Sequence, residues 1–312
     1  MTNRTRSKET IVKIIKKQIK RNWILYLFVA PCLLYLIIFN YIPLYGIQIA
    51  FKEFSPAEGI WGSKWVGFEQ FERFFGSYQF WTLLKNTLVL SIYSLLMNFP
   101  IPIILALMLN YAFSAKFKKF VQTVTYTPYF ISVVVLVGMI DVFFSTTGPI
   151  NQLLAIFGKE EPILFMGTPG LFKHIFVWSG VWKQAGWGSI IYIAALASVS
   201  PELHEAAIMD GANKFQRILH VDLPSIIPIA VIMLIMNVGN IMNLGFEKAF
   251  LLQNDINLSV SEIISTYVYK IGLQSAQYSY STAIGLFNNC VNFILLVTVN
   301  QISKKLSGSS LW

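Results

Sequence analysis

Apolar and polar positions along this chain fall into long blocks, with no sustained alternation at the period of a strand. The first block, residues 23–51, contains no Lys, Arg, Asp or Glu. About 20 apolar residues cross the hydrocarbon core of a bilayer, so this block spans with residues to spare. Its Pro31 and Pro43 are tolerable where neighbours satisfy the freed backbone groups. A polar segment, 52–85, follows. Within it, residues 67–75 repeat phenylalanine at roughly helical spacing and read as a short amphipathic helix at the membrane interface. Further crossings are expected within 86–115, 120–144, 174–199, 225–246 and 281–302. They are separated by a Gly- and Pro-containing loop to about Lys173 and by polar segments at 200–224 and 247–280. The pattern predicts an all-α integral membrane protein with six transmembrane helices. It has a basic arm at 1–22, one transmembrane domain at 23–305 and a short tail at 306–312.

Composition agrees. The chain has 312 residues, of which 55% are hydrophobic and only 12% charged, against about 25% charged in soluble domains. The net charge of +9 would ordinarily raise nucleic-acid binding. Here the excess sits in the arm, where Arg4, Arg6, Lys8, Lys13, Lys16, Lys17, Lys20 and Arg21 face Glu9 alone. Before a long apolar block, such an arm reads as a cytoplasmic anchor, and no nucleic-acid partner is expected. The arm, residues 116–119, residues 200–224 and the pair Lys304 and Lys305 before the tail hold fifteen of the 24 lysines and arginines. The opposite segments carry ten acids, among them Glu53, Asp141, Glu160, Glu247 and Glu262. The positive-inside rule therefore puts both termini in the cytoplasm. The first block is too long for a secretory signal and no small-residue cleavage site follows it, so a retained helix is expected. Cys32 and Cys290 both fall in apolar blocks, and neither a disulfide framework nor a metal site is expected.

Residues 200–224 are more than a connector. Ser200 is a good N-cap, Pro201 suits the first helical position and Glu202 complements the helix dipole. Gly211 can end the helix in the left-handed conformation. A second short helix, 212–220, is expected to stop before Pro224. Small and apolar residues (Leu203, Ala206, Ala207, Ile208) would face the cytoplasm on a protruding helix, which suits docking into a groove of a soluble partner.

Glu205-Ala206-Ala207, three residues, Gly211, nine residues, Val221, one residue, Leu223-Pro224 is similar to the EAA loop of binding-protein-dependent ABC importer permeases. Val66-Gly67-Phe68, Asn86-Thr87-Leu88, Gly148-Pro149-Ile150-Asn151, the tryptophans 178, 182 and 187, and Asn243 to Lys248 extend the resemblance over nearly the whole chain. They resemble the LplB-type branch of oligosaccharide and polysaccharide permeases, near the maltose-type sugar permeases. The resemblance implies a type I ABC importer fold in the bacterial plasma membrane. It also implies a second homologous permease, two ATPase subunits and an extracellular sugar-binding protein as partners, with an oligosaccharide as substrate. It assigns Glu205, Ala206, Ala207, Gly211, Leu223 and Pro224 to coupling with the ATPase.

Polar residues inside crossings must face protein or water. Ser91, Ser94 and Asn98 share one helical face, Asn237, Asn240 and Asn243 another, and Ser281, Gly285, Asn288 and Asn292 a third. Neutral amides and hydroxyls match sugar hydroxyls, which both donate and accept, and Tyr126, Tyr129, Trp187 and Tyr267 could stack on sugar rings. The competing reading is that these residues are interhelical glue. Lys183, near the middle of a crossing, is expected to snorkel or to pair with an acid, with contact to an acidic sugar as the alternative.

Other classes fit less well. An ion-gradient-driven secondary sugar carrier, the main alternative, would need central carboxylates, whereas Asp141 and Glu247 lie near crossing ends. An enzyme would need a nucleophile and base or a metal cluster. His174, His204 and His220 are spread along the chain and read as solvated surface groups. A receptor-like structural subunit leaves the Glu205–Pro224 pattern unexplained. There is no Walker A sequence, so ATP and Mg are expected on a separate ATPase and no cofactor in this chain.

Overall fold

The computed structural model describes residue 18 and residues 20–159, 161–308 and 310–311. Over these the chain is helical apart from one two-stranded hairpin. Most of the basic arm, residues 1–17 and 19, lies outside the described residues, as does Glu160. The described chain falls into two compact units that divide after Glu69.

In the first unit, α1 (Trp23–Phe51) covers the first apolar block. It passes Pro31 in α geometry and widens to a π turn at Ile37–Tyr41, just before Pro43. A wider turn is one way a helix relieves proline's ring clash and missing donor. Only Ala50 of its residues is buried. The hairpin pairs Lys52 with Trp65 and Glu53 with Lys64. The Lys52 ammonium closes its loop on the Ile60 carbonyl at 2.6 Å.

The second unit begins within α2 (Glu69–Phe75), the expected amphipathic helix. Its Phe74 turns inward against Phe80 and Phe287, and Arg73 stacks 4.3 Å over the Tyr280 ring. Then come α3 (Gln79–Asn110), α4 (Ala115–Phe130), α5 (Val133–Phe143), α6 (Pro149–Ile156), α7 (Pro169–Ala197), α8 (Pro201–Met209), α9 (Lys214–Gly239), α10 (Phe246–Leu252), α11 (Ile264–Tyr269) and α12 (Tyr278–Ser307). Among the described residues, α1, α3, α9 and α12 are long and apolar enough to cross a membrane. The expected crossing at 120–144 is instead two helices, α4 and α5, bent by 99°. Ile131 is extended and the Ser132 hydroxyl accepts from the Val135 amide, so a fresh helix start sits inside the apolar run. As one span they make a fifth. Helix α7 has 29 residues but carries Lys173 and Lys183 among Gly, Ser, Gln and Trp, and is not among those four.

Helix α7 is the centre of this unit. One core gathers Leu90 of α3, Leu136 and Ile140 of α5, and Phe172 and Phe176 of α7. A second joins Ala106 of α3, Tyr192 and Leu196 of α7, and Ile226 and Ala230 of α9. A third sets Phe74, Leu83, Ile264, Tyr267 and Ile284 together. Where α7 meets α4, Gly186 has no room for a side chain, because a Cβ there would stand 2.0 Å from the Thr125 carbonyl oxygen.

Two asparagines from the sequence motifs clip loops in place. The Asn86 amide donates to the carbonyls of Ser259 and Glu262. Asn151 exchanges two hydrogen bonds with the Ile163 backbone and donates to Ser145. Buried amides satisfied this fully fix one arrangement of the backbone they hold.

Candidate functional site

Two places gather the residues singled out in the sequence. The first is the segment 200–224. Ser200 caps α8, its hydroxyl accepting from the Glu202 amide at 3.3 Å. Gly211 ends the helix at φ +79, with the Ala212 amide on the Ala207 carbonyl (2.8 Å) and the Gly211 amide on the Ile208 carbonyl (3.0 Å). This is a Schellman cap, as Gly211 led one to expect. None of α8 is buried, and Leu203, Glu205, Ala206 and Ile208 are exposed.

The second half of the segment departs from expectation. Asn213 and Gln216 form a reciprocal capping box at 2.8 and 2.9 Å. The helix that starts there does not stop before Pro224. It runs through a π turn at Ile218–Asp222 into α9, so it is the beginning of a 26-residue span. The wider turn lets the chain carry on past a residue that cannot donate. Leu223 and Pro224 therefore lie inside a continuous helix, half-buried and exposed respectively.

A buried carboxylate joins the segment to α3. Asp222 is wholly buried and accepts from the Tyr111 hydroxyl at 2.6 Å, with the Asn110 amide at 3.5 Å and His204 Nε2 at 3.4 Å. The Arg217 guanidinium lies over the Tyr111 ring at 5.5 Å. Burial first, and then the Asp222 carboxylate, push the Tyr111 phenol up to about 12. His204 is thus a bonded residue and not merely solvated. His174 likewise meets the Tyr93 hydroxyl at 2.8 Å, and His220 Nδ1 lies 2.9 Å from the Gln216 carbonyl oxygen.

The second place is a cavity of about 430 Å³ between α3, α7 and the 237–248 stretch, within the usual range of small-molecule sites. It brings together Ser91, Ser94, Asn98, Asn237, Asn240 and Asn243, which the sequence placed on two separate faces. The Ser91 hydroxyl and the Asn98 carbonyl oxygen are buried with no hydrogen-bond partner among the described residues. Such groups call for a polar ligand or water. Lys183, Gln184, Glu247 and Lys248 line the same cavity. Sequence reasoning missed Lys248 as a lining residue because it lies beyond the apolar block of the fifth crossing, and only the fold swings it back onto α7.

The remaining pathway candidates are placed differently. Asn288 donates to the Asn243 carbonyl oxygen at 2.8 Å, and Asn292 accepts the Met242 amide at 3.0 Å. These two tie α12 to the chain following α9. Asn243 and Asn288 also line a neighbouring cavity with Ser281 and Gly285. Tyr267 is buried in the third core and lines neither cavity. Tyr129 and Trp187 stack on each other at 4.4 Å.

A family model described as "Binding-protein-dependent transport system inner membrane component" matches residues 85–308. Protein LplB of Bacillus subtilis (strain 168) is 45% identical over 295 residues, 94% of this chain and 92% of that protein. The polygalacturonan/rhamnogalacturonan transport system permease protein YteP of the same organism is 42% identical over 306 residues, 98% and 95% of the two chains. A crystal structure of a bacterial ABC transporter involved in the import of the acidic polysaccharide alginate superposes with TM-score 0.87 at 40% identity, covering 94% of this chain and 99% of that one. The alginate transporter in complex with alginate pentasaccharide-bound periplasmic protein gives 0.87 at 39% identity, covering 95% and 99%. Matches at this identity and coverage carry the type I ABC permease fold and the role of a transport subunit, not an enzyme. The chain belongs to the family of binding-protein-dependent transport system inner membrane components.

Proposed function

We propose that this chain is the permease subunit of an ATP-driven importer that takes up an oligosaccharide derived from a polysaccharide. It would act with a second, related permease, two ATPase subunits and an extracellular sugar-binding protein. The observation that carries this reading is α8, an exposed helix capped at both ends and followed directly by a membrane span. Relatives named as transport system permeases for polygalacturonan/rhamnogalacturonan and for arabinooligosaccharides support the substrate class.

In this reading α8 docks on the ATPase. Glu205 makes polar or ionic contact there, and Ala206 and Ala207 allow close approach. Gly211 fixes the turn, and Leu223 and Pro224 lead into α9. Helix α7 and the α4–α5 pair complete six crossings with both termini in the cytoplasm of a bacterial cell. Asn98, Asn237, Asn240 and Asn243 face the sugar, while Asn288 and Asn292 hold the helices that frame it. A carrier driven by an ion gradient has no comparable use for α8.

Purifying the tagged chain in mild detergent tests this. A second permease and a P-loop ATPase should co-purify in near-stoichiometric amounts. Gly211→Asp should lower ATPase recovery, on the order of tenfold for a contact worth about 1.4 kcal/mol. A Cβ at Gly211 meets nothing within 4 Å, so the change strains only a local φ of +79 and leaves the membrane part folded. A folded chain that purifies without an ATPase, or a Gly211→Asp variant that binds and transports normally, overturns the assignment.

A further inference from the structure

We infer that the hairpin following α1 is a membrane-interface anchor, with the Trp61 and Trp65 indoles seated in the lipid headgroup layer at the Phe51 end of that helix. The inference rests on α1 as a membrane span and stands apart from the coupling and substrate assignments.

Depth comes first. The 29 residues of α1 make a rod of roughly 44 Å at 1.5 Å per residue. A bilayer with its headgroups included is about 40–45 Å thick, so a span of that length ends within the headgroup layer. The hairpin starts at the next residue, Lys52. Its loop folds back along the helix. The Trp61 ring lies 5.3 Å from the ring of Tyr45, which opens the final 3₁₀ segment of α1, Tyr45–Phe51. Six steps of about 2.0 Å along that segment set the contact roughly 12 Å back from the end of the helix. That level is the border between headgroups and hydrocarbon.

The hairpin is tied firmly enough to hold its rings there. The Val66 and Gly67 amides both donate to the Phe51 carbonyl, at 2.9 and 3.1 Å. Ser63 is buried, and its hydroxyl donates to the Gly59 carbonyl at 2.6 Å and accepts the Ser55 amide at 3.0 Å. Trp65 stacks on Phe51 at 5.7 Å with the planes 10° apart, and Phe68 meets the same ring edge-on at 5.4 Å. Trp61 is nevertheless 80% exposed and Trp65 61%. Large rings held open to water forgo the gain of burial. An indole has an apolar body and a polar N–H tip, the combination enriched where headgroups meet hydrocarbon. The anchor also supplies what α1 lacks. Its first part, Trp23–Leu36, is uncharged and apolar on every side, so nothing in it fixes tilt or rotation. Interfacial aromatic anchors do.

The test uses the assembled transporter in vesicles of phosphatidylcholine brominated either just below the ester or near the end of the acyl chain. Bromine quenches an indole that it touches. The fluorescence of each ring is read as that of the unaltered protein minus that of Trp61→Phe or Trp65→Phe. Both positions are exposed, so both variants keep the fold. Each difference signal should be lost more strongly in the lipid brominated below the ester than in the lipid brominated at the chain end. A signal untouched by either lipid but quenched by acrylamide puts the hairpin in water and overturns the inference. A signal indifferent to both lipids and to acrylamide means that another chain covers the rings, and overturns it too. So does stronger quenching from the chain end, which places the rings in hydrocarbon. None of these outcomes touches the import role, which co-purification tests separately.

Discussion

Replacing Gly186 by alanine should destabilise the protein by about 3 kcal/mol, the upper part of the range for overpacking a close contact. The new Cβ would sit 2.0 Å from the Thr125 carbonyl oxygen and 2.4 Å from its carbon. Both belong to the backbone, so no rotamer change relieves the clash and α4 and α7 must separate. Two of the buried cores are built on α7, so the loss should spread beyond the contact. Gly138→Ala is the control. Gly138 lies in α5, where an added Cβ would meet nothing within 4 Å, and alanine favours a helix over glycine by roughly 1 kcal/mol. Thermal midpoints in one detergent should move in opposite directions for the two variants. A Gly186→Ala midpoint equal to that of the unaltered protein would mean that α4 and α7 do not pack this closely.

The second large effect is expected at Asp222. Its carboxylate, near the start of α9, meets groups from two other stretches of chain: the end of α3 and α8. Asp222→Ala removes the acceptor and leaves the Tyr111 hydroxyl and His204 facing a void. Removing one partner from a buried charged network typically costs 3–5 kcal/mol, so about 3 kcal/mol is expected. Asp222→Asn keeps the shape and one acceptor oxygen and should cost less than half of that. Tyr111→Phe isolates its share. Because the Tyr111 phenol is raised from near 10 to about 12, its contribution is complete below pH 10 and is lost as pH rises through 12. The midpoints of Tyr111→Phe and the unaltered protein should therefore differ by a constant amount up to pH 10 and converge above it. Equal midpoints for Asp222→Ala and the parent would refute the network's role.

Much of this was legible in the sequence. Long uncharged blocks show a membrane protein because hydrocarbon tolerates few charges, and that signal survives any detail of packing. The ends of α8 were legible too, since Ser200, Pro201 and Gly211 each act through their own backbone geometry. Reasoning failed where tertiary contacts decide. Pro224 suggested a stop, but the π turn at Ile218–Asp222 carries the helix past it. The 120–144 run is apolar throughout, so the break at Ile131 was hidden by composition. Residue type alone could not tell that Asn288 and Asn292 bond to the 242–243 stretch and that Tyr267 sits in the third core. Lys248 could not be placed until the chain after α9 was seen to return against Phe176 and Gly180.

The continuity of the helix from Lys214 through Gly239 has a mechanical consequence. At 1.5 Å per residue its 26 residues make a rod of roughly 39 Å. One end lies beside α8, and Asn237 near the other borders the cavity. A pivot of about 5° near one end would displace the other by roughly 3 Å over that length, comparable to the diameter of a water molecule. If α8 is moved by an ATPase, as proposed, the rod gears a small rotation in the cytoplasm into a change of bore at the sugar.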